Sequence, residues 1–594
     1  MHIRSLSAAV LLGLSSACAV QASPDSRTVN VKLIAINDFH GQIESPGTFR
    51  MDATATSAVP AGGVDWFAGY VARAKAENPN TAVVSAGDLI GASPLVSALF
   101  HDEPTIETMN RAGLDVNAVG NHEFDEGRAE LLRMQRGGCH PTDPNSCKGA
   151  EVGTPVPFEG AQFKFLAANV VDSKSGKTLF RPYVIKEYDD AKVAFVGMTL
   201  KETPTIVTPT GVAGLTFQDE AATVNALIPE LRRKGADAIV VLIHQGGTIP
   251  VAQNGSTINS CVGNLDGSPI KTIVGQLDDD VDLVISGHTH QAYNCQLPNG
   301  AGRTIPVTSA NSIGRVLTDI DLTVDRRKHD VSAVAATNRV VSQADPTVTP
   351  DPAIKAIVDN YKRISQPIAN RVIGSITADL TRTTTAAGES SLGDVIADAQ
   401  LAATRSAGFG DAIAAFMNPG GIRADLSYAG SAAGEGDGNV TYGEAFTVQP
   451  FGNSLVTLTL TGAQIEILLE QQFTGCGAAN APASFNYPAG DTGQPFNRIL
   501  QVSAGFHYSW SATGPACDKV DPASITINGL PVDPAASYRV TVNNFMADGG
   551  DKLYVLPLAT DRLGGAQDID ALEAYLTANA PVAPGDRDRI VQLP

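Results

Sequence analysis

The chain has 594 residues, too many for one compact core, so two or more domains are expected. Its 62 acidic residues against 42 basic ones give a formal charge of −20, which argues against nucleic-acid polymers or anionic membranes as general partners, since phosphate backbones are held by surplus Lys and Arg. A small phosphorylated substrate stays open, because bound cations reverse the field locally.

The N-terminus reads as an export signal. Met1 to Arg4 supplies the positive end, Leu6 to Leu14 the apolar region, and Val20-Gln21-Ala22 a small-residue cleavage site, so residues 1–22 are expected to be removed and the mature chain to be periplasmic or secreted. Lipid attachment at Cys18 is the second option. The apolar run is too short to span a bilayer, and no later run is longer, so no transmembrane segment is expected. Six cysteines remain, falling as sequence neighbours, which suggests the local disulfides Cys139–Cys147, Cys261–Cys295 and Cys476–Cys517.

From Val29 onward, apolar runs alternate with amphipathic stretches, the pattern of a layered α/β domain. Val29 to Ile36 reads as a strand ending in Asn37-Asp38-Phe39-His40-Gly41. Asp65 to Ala76 has helical spacing, and Ala82 to Ala86 is a strand ending in Gly87-Asp88. A helix from Pro104 to Arg111 precedes the apolar run Leu114 to Val119, which ends in Gly120-Asn121-His122-Glu123-Phe124-Asp125. Strands follow around Phe163 to Ala168 and Val193 to Gly197, then an amphipathic helix from Glu220 to Lys234. Ala238 to Ile243 ends in His244, and Val281 to Ser286 ends in Gly287-His288-Thr289-His290.

Five strand ends thus deliver Asp38 with His40, Asp88, Asn121 with His122, His244, and His288 with His290. Ligands gather at the carboxyl ends of strands in open α/β sheets. Taken singly, each residue serves as well as a cap or turn residue. Jointly they do not: five of the ten histidines fall at these landings, whereas purely structural placement would scatter them. Imidazole nitrogen and carboxylate oxygen suit borderline divalent metals such as Zn, Mn or Co. Asp38 and His40, two apart at a strand end, are expected to lean to one side and share a metal. Asp88 would bridge to a second metal completed by Asn121, His244 and His288, with His290 returning to the first. Two such metals can hold a hydroxide between them for in-line displacement at phosphorus. His122 would then meet the phosphoryl group or leaving oxygen, its tautomer fixed by Asp125.

The second half begins after Gln343-Ala344-Asp345-Pro346. Ala353 to Ile364 reads as a connecting helix, Val395 to Ala403 as a small-residue helix, and Ala429 to Asn439 as a mobile surface loop. Leu455 to Leu460 and Tyr538 to Val542 read as strands. Phe451 and Phe545, beside glycines in loops, can sandwich a flat base. Arg423 after a Gly-Gly turn can pair with phosphate in a fork, and Asp551, acceptor-only when ionised, suits ribose hydroxyls.

Asp-Phe-His-Gly, Gly-Asp-Leu-Ile-Gly-Ala-Ser-Pro, Gly-Asn-His-Glu-Phe-Asp, His-Gln-Gly-Gly and Gly-His-Thr-His, in this order, resemble the calcineurin-like metallophosphoesterases, and specifically the exported 5′-nucleotidase and UDP-sugar hydrolase family. The resemblance covers essentially the whole mature chain. It implies a four-layer α/β/β/α phosphoesterase domain over 29–342, a linker and connecting helix over 343–370, and an α/β (α+β) nucleotide-binding domain over 371–594. It puts Asp38, His40, Asp88 and His290 on one metal and Asp88, Asn121, His244 and His288 on the other, with His122 and Asp125 as the catalytic pair. In the second half Asn418, Gly421 and Arg423 match Asn-x-Gly-Gly-x-Arg, Phe451 and Asn453 match Pro-Phe-Gly-Asn, and Phe545 and Asp551 match Asn-Phe-x-x-x-Gly-Gly-Asp. The activity implied is release of phosphate from nucleoside 5′-monophosphates, small-molecule substrates, by a metal-bridging hydroxide. Family members also move one domain against the other, which makes Ile354 to Ile364 the expected hinge region. Where several members carry an arginine just before the helix start at Glu389, this chain has Ala386, with Arg382 earlier. That departure keeps open a 2′,3′-cyclic-nucleotide phosphodiesterase with 3′-nucleotidase action, or a UDP-sugar hydrolase. An alternative of another class is a non-catalytic nucleotide-binding surface protein.

Overall fold

The computed structural model describes residues 27–50, 58–249, 257–430 and 433–594. The export signal, Cys18 and residues 431–432 of the Ala429–Asn439 loop lie outside these. No helix among the described residues is long and apolar enough to cross a membrane.

Two six-stranded sheets face each other in the first half. The first runs, edge to edge, Asp330–Val340, Val316–Asp325, Thr28–Ile36, Thr81–Ser85, Val116–Ala118 and Lys164–Leu166, the last four parallel. The second runs Ala292–Pro298, Thr304–Ala310, Leu283–Ser286, Ala238–His244, Ala191–Thr199 and Tyr183–Tyr188, parallel through its four central strands. Leu33, Val84, Phe195, Val240 and Leu242 fill the space between the sheets with no exposure to solvent. Strands covered on both faces read as near-continuous apolar runs, which is why the sequence locates them. Helices Val64–Glu77 and Glu103–Ala112 cover the outer face of the first sheet, and Glu220–Arg233 with Pro269–Val274 that of the second. The order is therefore α/β/β/α. The second half is mixed α/β, a five-stranded sheet and a four-stranded sheet flanked by helices including Ser391–Thr404 and Asp568–Asn579. The three disulfides join Cys139 to Cys147, Cys261 to Cys295 and Cys476 to Cys517, the local pairing expected.

Between the halves lies Pro352–Ala369. Asp351 caps it by accepting from the Ala353 and Ile354 amides, and Pro352 occupies the first helical position, where its missing N–H costs nothing. The helix continues past Pro367, five residues beyond the expected end, because the Asn370 amide still closes on the Gln366 carbonyl. Ile354, Ile357, Val358 and Tyr361 form its buried stripe, and they belong to the core of the first half. Tyr361 packs on Phe100 with ring centroids 5.0 Å apart and donates to Glu107 Oε2 at 2.9 Å. The expected hinge region is thus built into the first core, and the residues between Ala369 and Val372 form the short covalent link to the second half.

Burial pushes the Glu107 carboxyl up to about 7. A raised carboxyl favours folding while protonated, so this contribution is present below the ordinary value of 4.5 and is lost as pH rises to about 7. Tyr361→Phe removes a donor to the ionised form and should steepen that loss, lowering stability at neutral pH by about 1–2 kcal/mol. Tyr361→Ala should cost about 3–5 kcal/mol. Urea unfolding of the three proteins at pH 5 and pH 7.5 checks both.

Candidate metal and substrate site

The carboxyl ends of the parallel strands of both sheets open on the same side, and the five polar landings meet there. His244 Nδ1 lies 2.9 Å from the Ala86 carbonyl, and the His288 amide donates to both oxygens of Asp38 at 3.0 Å, so the second sheet is tied to the first at the site itself. Gly87 and Gly120 permit this approach. A Cβ on Gly87 would meet His244 Nδ1 at 2.6 Å, and one on Gly120 would meet Asp88 Oδ1 at 2.2 Å.

Asp38, His40 and His290 bring three donor atoms within 4.8 Å of one another, and so do Asp88, His244 and His288. His40 Nε2 stands 3.0 Å from His290 Nε2, and His290 Nε2 stands 3.5 Å from Asp38 Oδ1. Asp88 Oδ2 lies 2.9 Å from His244 Nε2 and 3.9 Å from His40 Nε2, between the two groups. Asn121 Oδ1 is 3.1 Å from both His244 Nε2 and His288 Nδ1. All seven expected ligands therefore converge. The means differs from the expected pleat alternation: the strand ends at Ile36, and Asp38 and His40 follow it in left-handed backbone. Asp88, His288 and His290 are left-handed too. Non-glycine residues pay for that conformation, and its concentration in five of the seven donors marks a site where geometry outranks local comfort.

The donor set fits divalent cations. Burial pushes His288 and His290 down to about 3 and holds His40 well below its ordinary value, so these imidazoles offer lone pairs rather than protons. Burial opposes charge on Asp88 and on His244, yet their mutual attraction holds Asp88 well below the carboxylate range and His244 up at about 10. Lone pairs facing each other at hydrogen-bond distance with too few protons between them are what a cation resolves.

His122 Nδ1 is 2.9 Å from Asp125 Oδ2, which leaves Nε2 as its free ring nitrogen. Burial works against the imidazolium, but Asp125 and Asp88 overcome it and the His122 pKa is raised. The Asp125 carboxylate also accepts from the Ala92 amide at 3.1 Å.

The second half closes the site. A cavity of about 440 Å³ is lined by Asn121, His122, Asp125 and His288 on one side and by Asn418, Gly421, Arg423, Phe451, Asn453, Phe545 and Asp551 on the other. A smaller space of about 250 Å³ joins Arg423 to Asp88, His122 and His290. Phe451 stacks on the His122 ring, centroids 5.6 Å apart and planes 9° from parallel, with the Arg423 guanidinium 5.7 Å from its centroid. Phe545 packs on Gly550 and against the second core. The two rings expected to sandwich a base thus both reach the cavity, with different neighbours. Asn453 braces Asp568, whose amide donates to its carbonyl at 2.8 Å. Arg382 stands behind Arg423 and donates from Nη1 to its carbonyl at 2.8 Å; neither it nor Ala386 is among the residues that line the cavity, whose guanidinium groups are those of Arg423 and Arg498.

Sequence reading missed the residues that brace the donors from behind. Glu123 was seen only as part of its motif. Buried, it accepts from the Asp88 amide at 3.0 Å, the Gly120 amide at 2.5 Å, the Leu89 amide at 2.9 Å and Asn117 Nδ2 at 3.0 Å, holding two landings together. Asn37 does similar work, donating to Asp38 Oδ2 at 2.6 Å and to the Asn311 carbonyl at 2.7 Å. Both act on backbone or on a ligand's second oxygen, and no spacing rule announces that.

Residues 31–292 match the calcineurin-like phosphoesterase family, and residues 372–557 match the 5′-nucleotidase C-terminal domain. An endonuclease of Bacillus subtilis is 30% identical over 574 residues, covering 96% of this chain and 41% of that protein. A cell wall protein of Listeria monocytogenes is 32% identical over 552 residues, covering 89% of this chain and 64% of that one. The chain thus spans less than two thirds of the length of these two relatives. The crystal structure of a 5′-nucleotidase precursor from Thermus thermophilus superposes with a TM-score of 0.72 at 26% identity, over 95% of this chain and 99% of that one.

Glu123→Ala would strand three backbone amides and the Asn117 side chain in a dry interior. It should lower stability by about 3 kcal/mol or more, with Glu123→Gln, which keeps one acceptor oxygen, losing less. Urea unfolding, together with faster hydrogen exchange at the Asp88, Leu89 and Gly120 amides, checks this.

Proposed function

Since the chain belongs to the calcineurin-like phosphoesterases that carry a 5′-nucleotidase C-terminal domain, we propose that this metal-dependent phosphoester hydrolase releases phosphate from nucleoside 5′-monophosphates. The observation that carries the reading is one cavity with two unlike ends. Asp38, His40, Asp88 and His290 would hold one divalent cation, and Asp88, Asn121, His244 and His288 a second, with Asp88 shared. Cations held there would polarise the phosphoryl oxygens and activate water for in-line attack. Arg423, reaching the same space as Asp88 and His122, takes a phosphoryl oxygen in its fork. His122, steered through Nδ1 by Asp125, presents Nε2 to the phosphoryl group or leaving oxygen. On the other side Phe451 and Phe545 offer aromatic faces to the base, and Asp551 offers acceptor capacity to the ribose. The three disulfides favour an exported protein, in keeping with the signal at residues 1–22.

Phosphate release from AMP should be abolished by EDTA and restored by manganese or zinc; equal release in both conditions contradicts the metal assignment. His122→Ala should lower kcat by about 10²- to 10⁴-fold, whereas Phe451→Ala should raise KM more than it lowers kcat. AMP, 2′,3′-cyclic AMP and UDP-glucose assayed side by side separate the nucleotidase from its sister chemistries, and faster turnover of either of the last two would reassign the substrate.

A further inference from the structure

The nucleoside end of the cavity carries a guanidinium that no motif announced. Arg498 lies just ahead of the strand Gln501–Val502 and lines the cavity together with Phe496, Phe545 and Asp551. Its Nη1 donates to Asp551 Oδ1, and the other oxygen of that carboxylate accepts from Asn418 Nδ2 at 2.8 Å. The opposite edge of the guanidinium, where Nε–H and one Nη2–H point the same way, makes no hydrogen bond among the described residues, and Nε is fully buried there. A buried donor without an acceptor is unfavourable and calls for a reason. The Phe496 ring lies over the guanidinium, 4.9 Å from Cζ to centroid, yet is itself 60% exposed. A planar two-donor fork is thus held beneath a ring that is free to turn aside.

Charge decides what the fork is for. Asp551 neutralises Arg498 and would repel a second phosphate, and Arg423 with the cation-binding donors already serves the anionic end of a substrate. The group that fits is neutral, planar and carries two adjacent acceptors. A guanine or hypoxanthine ring offers O6 and N7 in that arrangement, whereas adenine presents an amino donor in place of O6. We propose that Arg498 reads the base through its Nε–Nη2 fork, with Phe496 turning away as the base enters, so that oxopurine 5′-monophosphates are preferred to AMP. The inference rests on the nucleotide reading above and deepens it.

Steady-state kinetics with GMP, IMP, AMP and the base-free ribose 5-phosphate test it. The metal-loaded wild type should show kcat/KM for GMP and IMP about tenfold or more above that for AMP. Arg498→Lys keeps a cation beside Asp551 but has no planar fork, and Arg498→Met keeps length without charge. Both should bring the GMP-to-AMP ratio within about twofold of unity. If Arg498 only holds Asp551, the variants will slow GMP, AMP and ribose 5-phosphate by one common factor and leave the ratio standing, which overturns the proposal. A wild type indifferent to the base overturns it too. Absence of phosphate release from every nucleotide is a different result, and it defeats the nucleotidase reading itself.

Discussion

Everything at this site depends on one electrostatic condition: lone pairs pointed at each other where a buried floor meets a half-buried rim. The Nε2 atoms of His40 and His290 approach to 3.0 Å, and Asp88 lies within ionic reach of His40 and His244. Imidazoles deprived of water resist protonation, and a carboxylate deprived of water needs positive charge. The protein alone supplies that charge through His244, at the expense of one ligand's lone pair. The frame that holds the donors against this mutual repulsion is therefore the costly part of the molecule. It consists of two facing sheets fastened at their carboxyl ends, where the His244 ring meets the Ala86 carbonyl and the His288 amide donates to the Asp38 carboxylate, with Glu123 and Asn37 gripping the loops from behind.

The second half answers a different need. Chemistry at phosphorus says nothing about what the phosphate is attached to, and the selecting surface comes from a separate core. Arg423, Phe451, Phe545 and Asp551 reach a cavity whose other wall is built around His122, so in the proposed reading recognition and reaction share one space without sharing one scaffold. The overall charge of −20 is compatible with an anionic ligand, because Arg423 is cationic at the site and any cations held by the donors would reverse the field locally.

Much of this was legible in the sequence, for a physical reason. Strands buried on both faces must be apolar throughout, so any polar residue that ends such a run stands out, and Asp88, His244 and His288 were visible on that ground. The helix Val64–Glu77 and the stripe of Pro352–Ala369 were visible through their period. What escaped depends on contacts without a sequence period. Asp330–Val340 is largely exposed, and its short alanine-rich apolar run did not stand out as a strand, although it closes an edge of the first sheet. Glu123 acts on amides brought together from two loops. Arg498 meets Asp551 across 53 positions of chain. The left-handed backbone at Asp38, His40, Asp88, His288 and His290 was equally hidden, since aspartate and histidine tolerate that conformation without requiring it.

The stack of Phe451 on His122 has a consequence of its own. One ring belongs to each half, and they lie nearly parallel at 5.6 Å. An aromatic ring so placed shields the nuclei beneath it, so the carbon-bound protons of His122 resonate at an altered frequency only while the halves are together. Nature has in effect installed a magnetic gauge of domain separation on the imidazole itself, readable in solution without any added label.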